Sequence, residues 1–141
     1  MNISDLQQKA ESGNVSAQSA LGICYLDGID VEVDYDEAFR LLSAAASRGA
    51  SRAAFYLGRM YAGGLGIAKN PARAIPLYEA AAKAGEFLAQ IELGRTFSCG
   101  MGVPIDREAA LRWYSAAASQ ENTVADCEEI REAKAYVSSE N

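Results

Sequence analysis

The sequence predicts an all-α chain: three 36-residue helix-turn-helix repeats held between an N-terminal and a C-terminal capping helix. The first observation is an offset. Leu21-Gly22, Leu57-Gly58 and Leu93-Gly94 stand 36 residues apart, and the same step links Tyr25, Tyr61 and Phe97; Gly28, Gly64 and Gly100; Ala17, Ala53 and Ala89; and Ala38, Ala74 and Ala110. A fixed period of this size is the signature of stacked two-helix units. The second is spacing: Ala17, Ala20, Leu21, Cys24 and Tyr25, and again Ala38, Leu41, Leu42 and Ala45, recur three and four apart, which builds one apolar stripe on a helix. The third is punctuation, because every copy stops at a glycine and restarts after Asp34, Asn70 or Asp106.

The elements follow in order. Residues 1–13 match the second helix of a preceding unit, Leu6 with Leu42 and Ala10 with Ala46, and Ser4 to Gln7 has capping-box spacing. Repeat 1 is 14–49, repeat 2 is 50–85 and repeat 3 is 86–121. Their first helices are expected at 15–27, 51–63 and 87–99, each ended by a glycine able to take the left-handed conformation. The second helices begin after the Asp or Asn cap; Asp34 is followed by Glu37 as in a capping box, and Asn70 by Pro71 at the favoured first position. Alanine at the contact positions lets neighbouring helices approach within roughly 8–10 Å. Residues 122–141 continue as a last helix, expected at 123–137, in which Glu129-Ile130 replaces Leu-Gly and a polar outer face closes the array.

Composition excludes most familiar active sites. The chain has 141 residues, no histidine and three cysteines, so it offers no imidazole base, no histidine metal ligand and too few thiolates for a four-cysteine zinc site. No metal, cofactor or catalytic residue is expected. A net charge of −6 opposes binding to nucleic acid. No segment reaches the eighteen or so apolar residues of a membrane span, and the polar Met1 to Asn14 lacks a signal-peptide core, so a cytoplasmic protein with reduced Cys24, Cys99 and Cys127 is expected. The charge is uneven: residues 1–49 carry −5, 50–85 carry +4 and 86–141 carry −5.

The pattern Ala-x-x-x-Leu-Gly-x-x-Tyr-x-x-Gly, a Gly-Val-type loop, an Asp cap and an Ala-rich helix ending Ala-Ala-x-x-Gly resembles the Sel-one-like repeats, relatives of tetratricopeptide repeats. Asp30 departs from it where the other copies have Gly66 and Gly102, and Glu121 where they have Gly49 and Gly85. The resemblance implies a right-handed α/α superhelical solenoid that acts as an adaptor or scaffold rather than a catalyst. It also implies a concave groove lined by the first helices. Mapped onto this chain, the position after Leu-Gly gives Ile23, Arg59 and Arg95, continued by Arg131 in the last helix, and upstream positions give Ser16 and Ser19, Arg52 and Phe55, and Leu88 and Ile91, with Cys127 in register.

Arginine accepts carboxylates through its planar fork, and Phe55, Leu88 and Ile91 add apolar anchors, so the expected partner is a protein presenting an acidic or mixed acidic and apolar segment. The bland alternative is that the arginines pair with Glu92 or Asp126. An immunity protein neutralising a toxin is the second functional reading, and six acids between Asp27 and Glu37 supply a surface for a basic partner. An enzyme is third. The acidic run lacks the turn glycine and distal Glu of a calcium loop; Gly63 to Gly66 and Gly100 to Gly102 follow helices rather than strands and read as turns; no Ser precedes a Lys by three; Trp113 reads as packing.

Overall fold

A computed structural model describes residues 2–120 and 128–140, all of whose regular structure is helical. In order these are α1 (Ile3–Glu11), α2 (Val15–Asp27), α3 (Tyr35–Ser47), α4 (Ser51–Gly63), α5 (Pro71–Lys83), α6 (Phe87–Cys99), α7 (Arg107–Ala118) and α8 (Glu128–Glu140). The three first helices and the starts of the three second helices coincide with the expected positions. The first part of the C-terminal helix expected from 123 lies outside the described residues.

Local chemistry explains the boundaries. Asn14 accepts from the Ala17 amide at 2.9 Å, Asp34 from Glu37 at 3.1 Å, Asn70 from Arg73 at 3.2 Å and Asp106 from Ala109 at 3.0 Å, so each cap satisfies a first-turn donor with no intrahelical partner. Only half of the Asp34–Glu37 box forms, because the Asp34 amide donates to the Tyr25 carbonyl at 2.9 Å and the Glu37 carboxylate pairs with Arg40 at 2.7 Å. At α1 the cap is Asn2, which accepts from Asp5 at 2.9 Å, not Ser4. Starting two residues earlier still leaves Leu6 and Ala10 on the stripe that meets α2. Gly28, Gly64 and Gly100 close α2, α4 and α6 with φ of 71°, 67° and 71°.

Asp30 stands at φ 61°, the same left-handed conformation that Gly66 and Gly102 adopt in the other two loops. Asp tolerates this region better than most residues, whereas a β-branched side chain does not. Asp30→Val is therefore expected to lower stability by roughly 1–2 kcal/mol, and Asp30→Gly to leave it nearly unchanged, as read by urea denaturation.

The chain divides into two compact units, residues up to Leu77 and residues from Tyr78, with the division inside α5. In the first, α1 packs on α2, α2 on α3 and α3 on α4. Its main cluster gathers Leu26, Ala38, Leu42, Ala45, Ala53, Leu57 and Met60. In the second, α6 packs on α7 and α8 packs on both, around Ile91, Ala110, Tyr114, Ala117 and Ala133. The Leu-Gly glycines permit close approaches between helices. A Cβ built on Gly22 would lie 2.8 Å from Leu42 Cγ, and one on Gly94 would lie 2.7 Å from the Tyr114 ring. Each glycine makes room for the large buried side chain of the second helix in its own repeat.

A buried amide supports this stacking. Gln18 Nε2 donates to the Ala10 carbonyl at 3.3 Å, and its copy Gln90 donates to Ala82 at 3.1 Å, tying each first helix to the end of the helix before it. Gln90 also accepts from Gln120 at 2.7 Å. Repeat 2 has Ala54 at this position.

Candidate functional site

On the first unit, α2 and the start of α4 enclose a groove of about 660 Å³. One wall is Val15, Ser16, Ser19, Ala20 and Ile23; the other runs from Arg48 through Gly49 and Ala50 to Ser51 and Arg52. Positions 16, 20 and 23 share a face because they follow helical spacing, and 19 lies beside them at the floor. Two arginines and no acidic side chain line the groove. Arg48 is anchored, its Nη1 donating to the Gly13 carbonyl at 2.5 Å, while Arg52 is exposed.

The position shared by Ser19, Phe55 and Ile91 behaves differently from a groove wall. These side chains are only 8%, 6% and 0% exposed. Phe55 packs edge-on against Tyr56 at 5.2 Å and Ile91 sits in the second unit's core, so neither presents the accessible apolar anchor expected of it. All three positions are buried in the helix packing of their own unit. Where Phe and Ile fill that slot, the small serine leaves it hollow, and the groove opens at repeat 1.

The arginines expected to act alike have separate surroundings. Arg59, half-buried, stacks over the Tyr56 ring at 5.3 Å. Arg95 is enclosed by acids: Nη2 and Nε donate to Glu132 at 2.6 and 3.0 Å, and Nη1 to Glu92 at 2.9 Å. The Tyr114 hydroxyl donates to the same Glu132 at 3.1 Å, joining α6, α7 and α8. Arg95 holds Glu132 below the ordinary carboxylate range, and burial followed by the Glu132 charge pushes the Tyr114 phenol up. Arg95 is thus a clamp inside the second unit, paired with Glu92 as the alternative reading expected and with Glu132, while Asp126 lies outside the described residues. Leu88 is half-buried on α6, Arg131 is exposed on α8, and Cys127 lies outside the described residues.

The remaining candidates carry little chemistry. Burial, then Asp30 and Asp27, push the Cys24 thiol up, which reduces its thiolate character. Among the described residues no three of His, Cys, Asp and Glu converge as a metal site, and no helix is long and apolar enough to cross a membrane.

The Sel1 repeat pattern matches residues 15–49, 51–86 and 88–122. The chain belongs to the Sel1 repeat family. Its all-α solenoid class follows from that membership. It is similar to a Sel1 repeat protein from Oxalobacter formigenes, 42% identical over 97% of each chain with a TM-score of 0.78. It is also similar to c5321, a protective antigen present in uropathogenic Escherichia coli strains displaying an SLR fold, at 29% identity and a TM-score of 0.80, covering 100% of this chain and 34% of that one. The chain thus spans about a third of c5321. Helicobacter pylori cysteine rich protein B shares the fold at 19% identity and a TM-score of 0.67, over 82% of this chain and 87% of that one. No curated protein matches the chain. Sel1 repeats are commonly protein–protein interaction scaffolds.

The groove residues that sequence reasoning missed are Val15, Ala20, Arg48, Gly49, Ala50 and Ser51. A signal existed for the place if not for the residues: repeat 1 has Ser16 and Ser19 where the other copies carry Arg52 and Phe55, or Leu88 and Ile91.

Proposed function

We propose that this Sel1 repeat protein is a non-catalytic binding module, located in the cytoplasm, that takes an acidic segment of a partner protein into the α2–α4 groove. The observation that carries this reading is the lining: Ser16, Ser19, Ile23 and Arg52 surround a concave space with two arginines and no carboxylate. Such a site attracts a carboxylate and repels a basic chain. Arg59, on the same helix as Arg52, extends the positive face. The free Cys24 and Cys99 suit a reducing compartment.

Charge reversal tests it. Arg52→Glu combined with Arg59→Glu is expected to abolish capture of the native partner at moderate salt, with helicity retained and stability lowered only by the loss of the Arg59–Tyr56 contact. Arg112→Glu, an exposed change on α7, serves as control. Equal capture by all three proteins would reject the groove.

A second reading rests on a different surface. Asp27, Asp30, Glu32 and Asp36 are exposed beside Ile29 and Val33, 48% and 51% exposed, which suits a basic partner such as a toxin neutralised by an immunity protein. Growth rescue on co-expression with a candidate toxin, lost on Asp27→Lys with Glu32→Lys, is its expected result.

A further inference from the structure

We infer that a second cleft, bounded by α3, α4 and α5, receives the acidic loop between Asp27 and Asp36 of another copy of this chain, so that the protein self-associates. The inference goes beyond both readings above and uses no residue of the α2–α4 groove.

A comparison of two repeats carries it. A small cleft of about 110 Å³ bounded by α1, α2 and α3, and a larger one of about 540 Å³ bounded by α3, α4 and α5, are built from corresponding positions. Leu21 and Tyr25 in the first are Leu57 and Tyr61 in the second, 36 residues on. The first is filled by its own side chains: Gln7 donates to the Tyr25 hydroxyl at 3.3 Å, and Glu37 pairs with Arg40 at 2.7 Å. In the second, Ser43 stands for Gln7, Ser47 for Glu11 and Pro76 for Arg40, and the charge reverses where Arg73 replaces Glu37. The slot is the same and its filling is gone.

The lining defines what fits. Phe39 and Tyr61 meet edge-on at 6.0 Å, Leu57 and Leu77 extend the apolar surface, and the Arg73 guanidinium lies over the Tyr61 ring at 5.2 Å. Among the described residues no carboxylate lines this cleft. Its complement is an apolar anchor flanked by acids, which supplies the carboxylate that Glu37 gives Arg40 in the first cleft.

This chain carries such a segment. Ile29 and Val33 are half-exposed, and Asp27, Asp30, Glu32 and Asp36 are exposed around them. The loop is pinned at both ends, the Ile29 amide donating to the Cys24 carbonyl and the Asp34 amide to that of Tyr25, each at 2.9 Å, so docking orders little further chain. None of residues 27–36 lines the large cleft of its own chain, which leaves the cleft of a second copy. Charge favours that encounter, since residues 1–49 carry −5 and residues 50–85 carry +4.

Sedimentation of the full chain from micromolar to millimolar concentration, at low and moderate salt, tests it. The expected result is concentration-dependent association that salt weakens. A cleft variant, Arg73→Glu with Pro76→Arg, rebuilds the Glu37–Arg40 pair of repeat 1 and removes a proline from inside α5, so it keeps the fold. A loop variant, Ile29→Ser with Glu32→Lys, alters exposed side chains only. Each is expected to weaken self-association at least tenfold with its unfolding midpoint retained. An equimolar mixture of the two is expected to regain a one-to-one complex, because the first keeps its loop and the second its cleft. A wild-type chain that stays monomeric throughout, undiminished association of the cleft variant, or a mixture that stays monomeric overturns the assignment. Association kept by the cleft variant but lost on Arg52→Glu also overturns it, and places the loop in the α2–α4 groove instead.

Discussion

Gly94→Ala is expected to destabilise the second unit by roughly 1–3 kcal/mol, toward the upper end of what overpacking a core costs. The new methyl would lie 2.7–2.8 Å from three atoms of the Tyr114 ring, and that ring is buried, 3% exposed, with its hydroxyl held by Glu132. It cannot withdraw without breaking the bond to Glu132. Gly63→Ala is the internal comparison. A Cβ there meets only Leu65, at 3.5 Å or more, so removing the glycine's unfolded-state freedom should stabilise by about 0.4–1 kcal/mol. Urea denaturation of both variants measures the difference. Equal midpoints would show that α6 and α7 are not packed at the Leu-Gly site.

Arg95→Glu is expected to release α8. The substitution replaces a guanidinium between Glu92 and Glu132 by a third carboxylate, and loses up to four charged hydrogen bonds. Charged bonds contribute about 1.5–3 kcal/mol each when well buried. The Arg95 side chain is 38% exposed, so solvent screening lowers the total and a loss of about 1–3 kcal/mol for the cluster is expected. Faster hydrogen exchange over residues 128–140 reports it.

Acid reproduces the effect. The Glu132 carboxyl titrates below its ordinary 4.5 when folded, chiefly through its bonds with Arg95. Its stabilisation is therefore fully present above that value and is lost as pH falls through the depressed one. Arg95→Ala should remove this part of the acid transition. Arg59→Glu should cost roughly 0.5–2 kcal/mol, the worth of a half-buried cation–π contact with Tyr56.

The helix boundaries were legible because their causes are local. Asp34, Asp106, Gly28 and Gly100 act on the backbone within one turn, and a 36-residue step repeats them. The cap of α1 was less legible: Asn2 and Ser4 are both competent, and only packing on α2 chooses. The site was less legible still. Arg95 and Glu132 lie 37 residues apart, one more than the repeat, so their meeting depends on the register of α8 against α6. Phe55 and Ile91 are buried, and an apolar periodicity marks a residue as apolar-facing without saying whether it lines a groove or packs inside.

The glutamine ties have an evolutionary consequence. Gln18 and Gln90 donate to main-chain carbonyls, which every residue possesses, so the donor requires no particular side chain in the preceding unit. A duplicated segment carrying its glutamine brings a portable fastener that engages whatever helix it follows. Arrays built this way can lengthen by copying without a compensating change next door, and the copy bearing Ala54 marks a seam where one such fastener is missing.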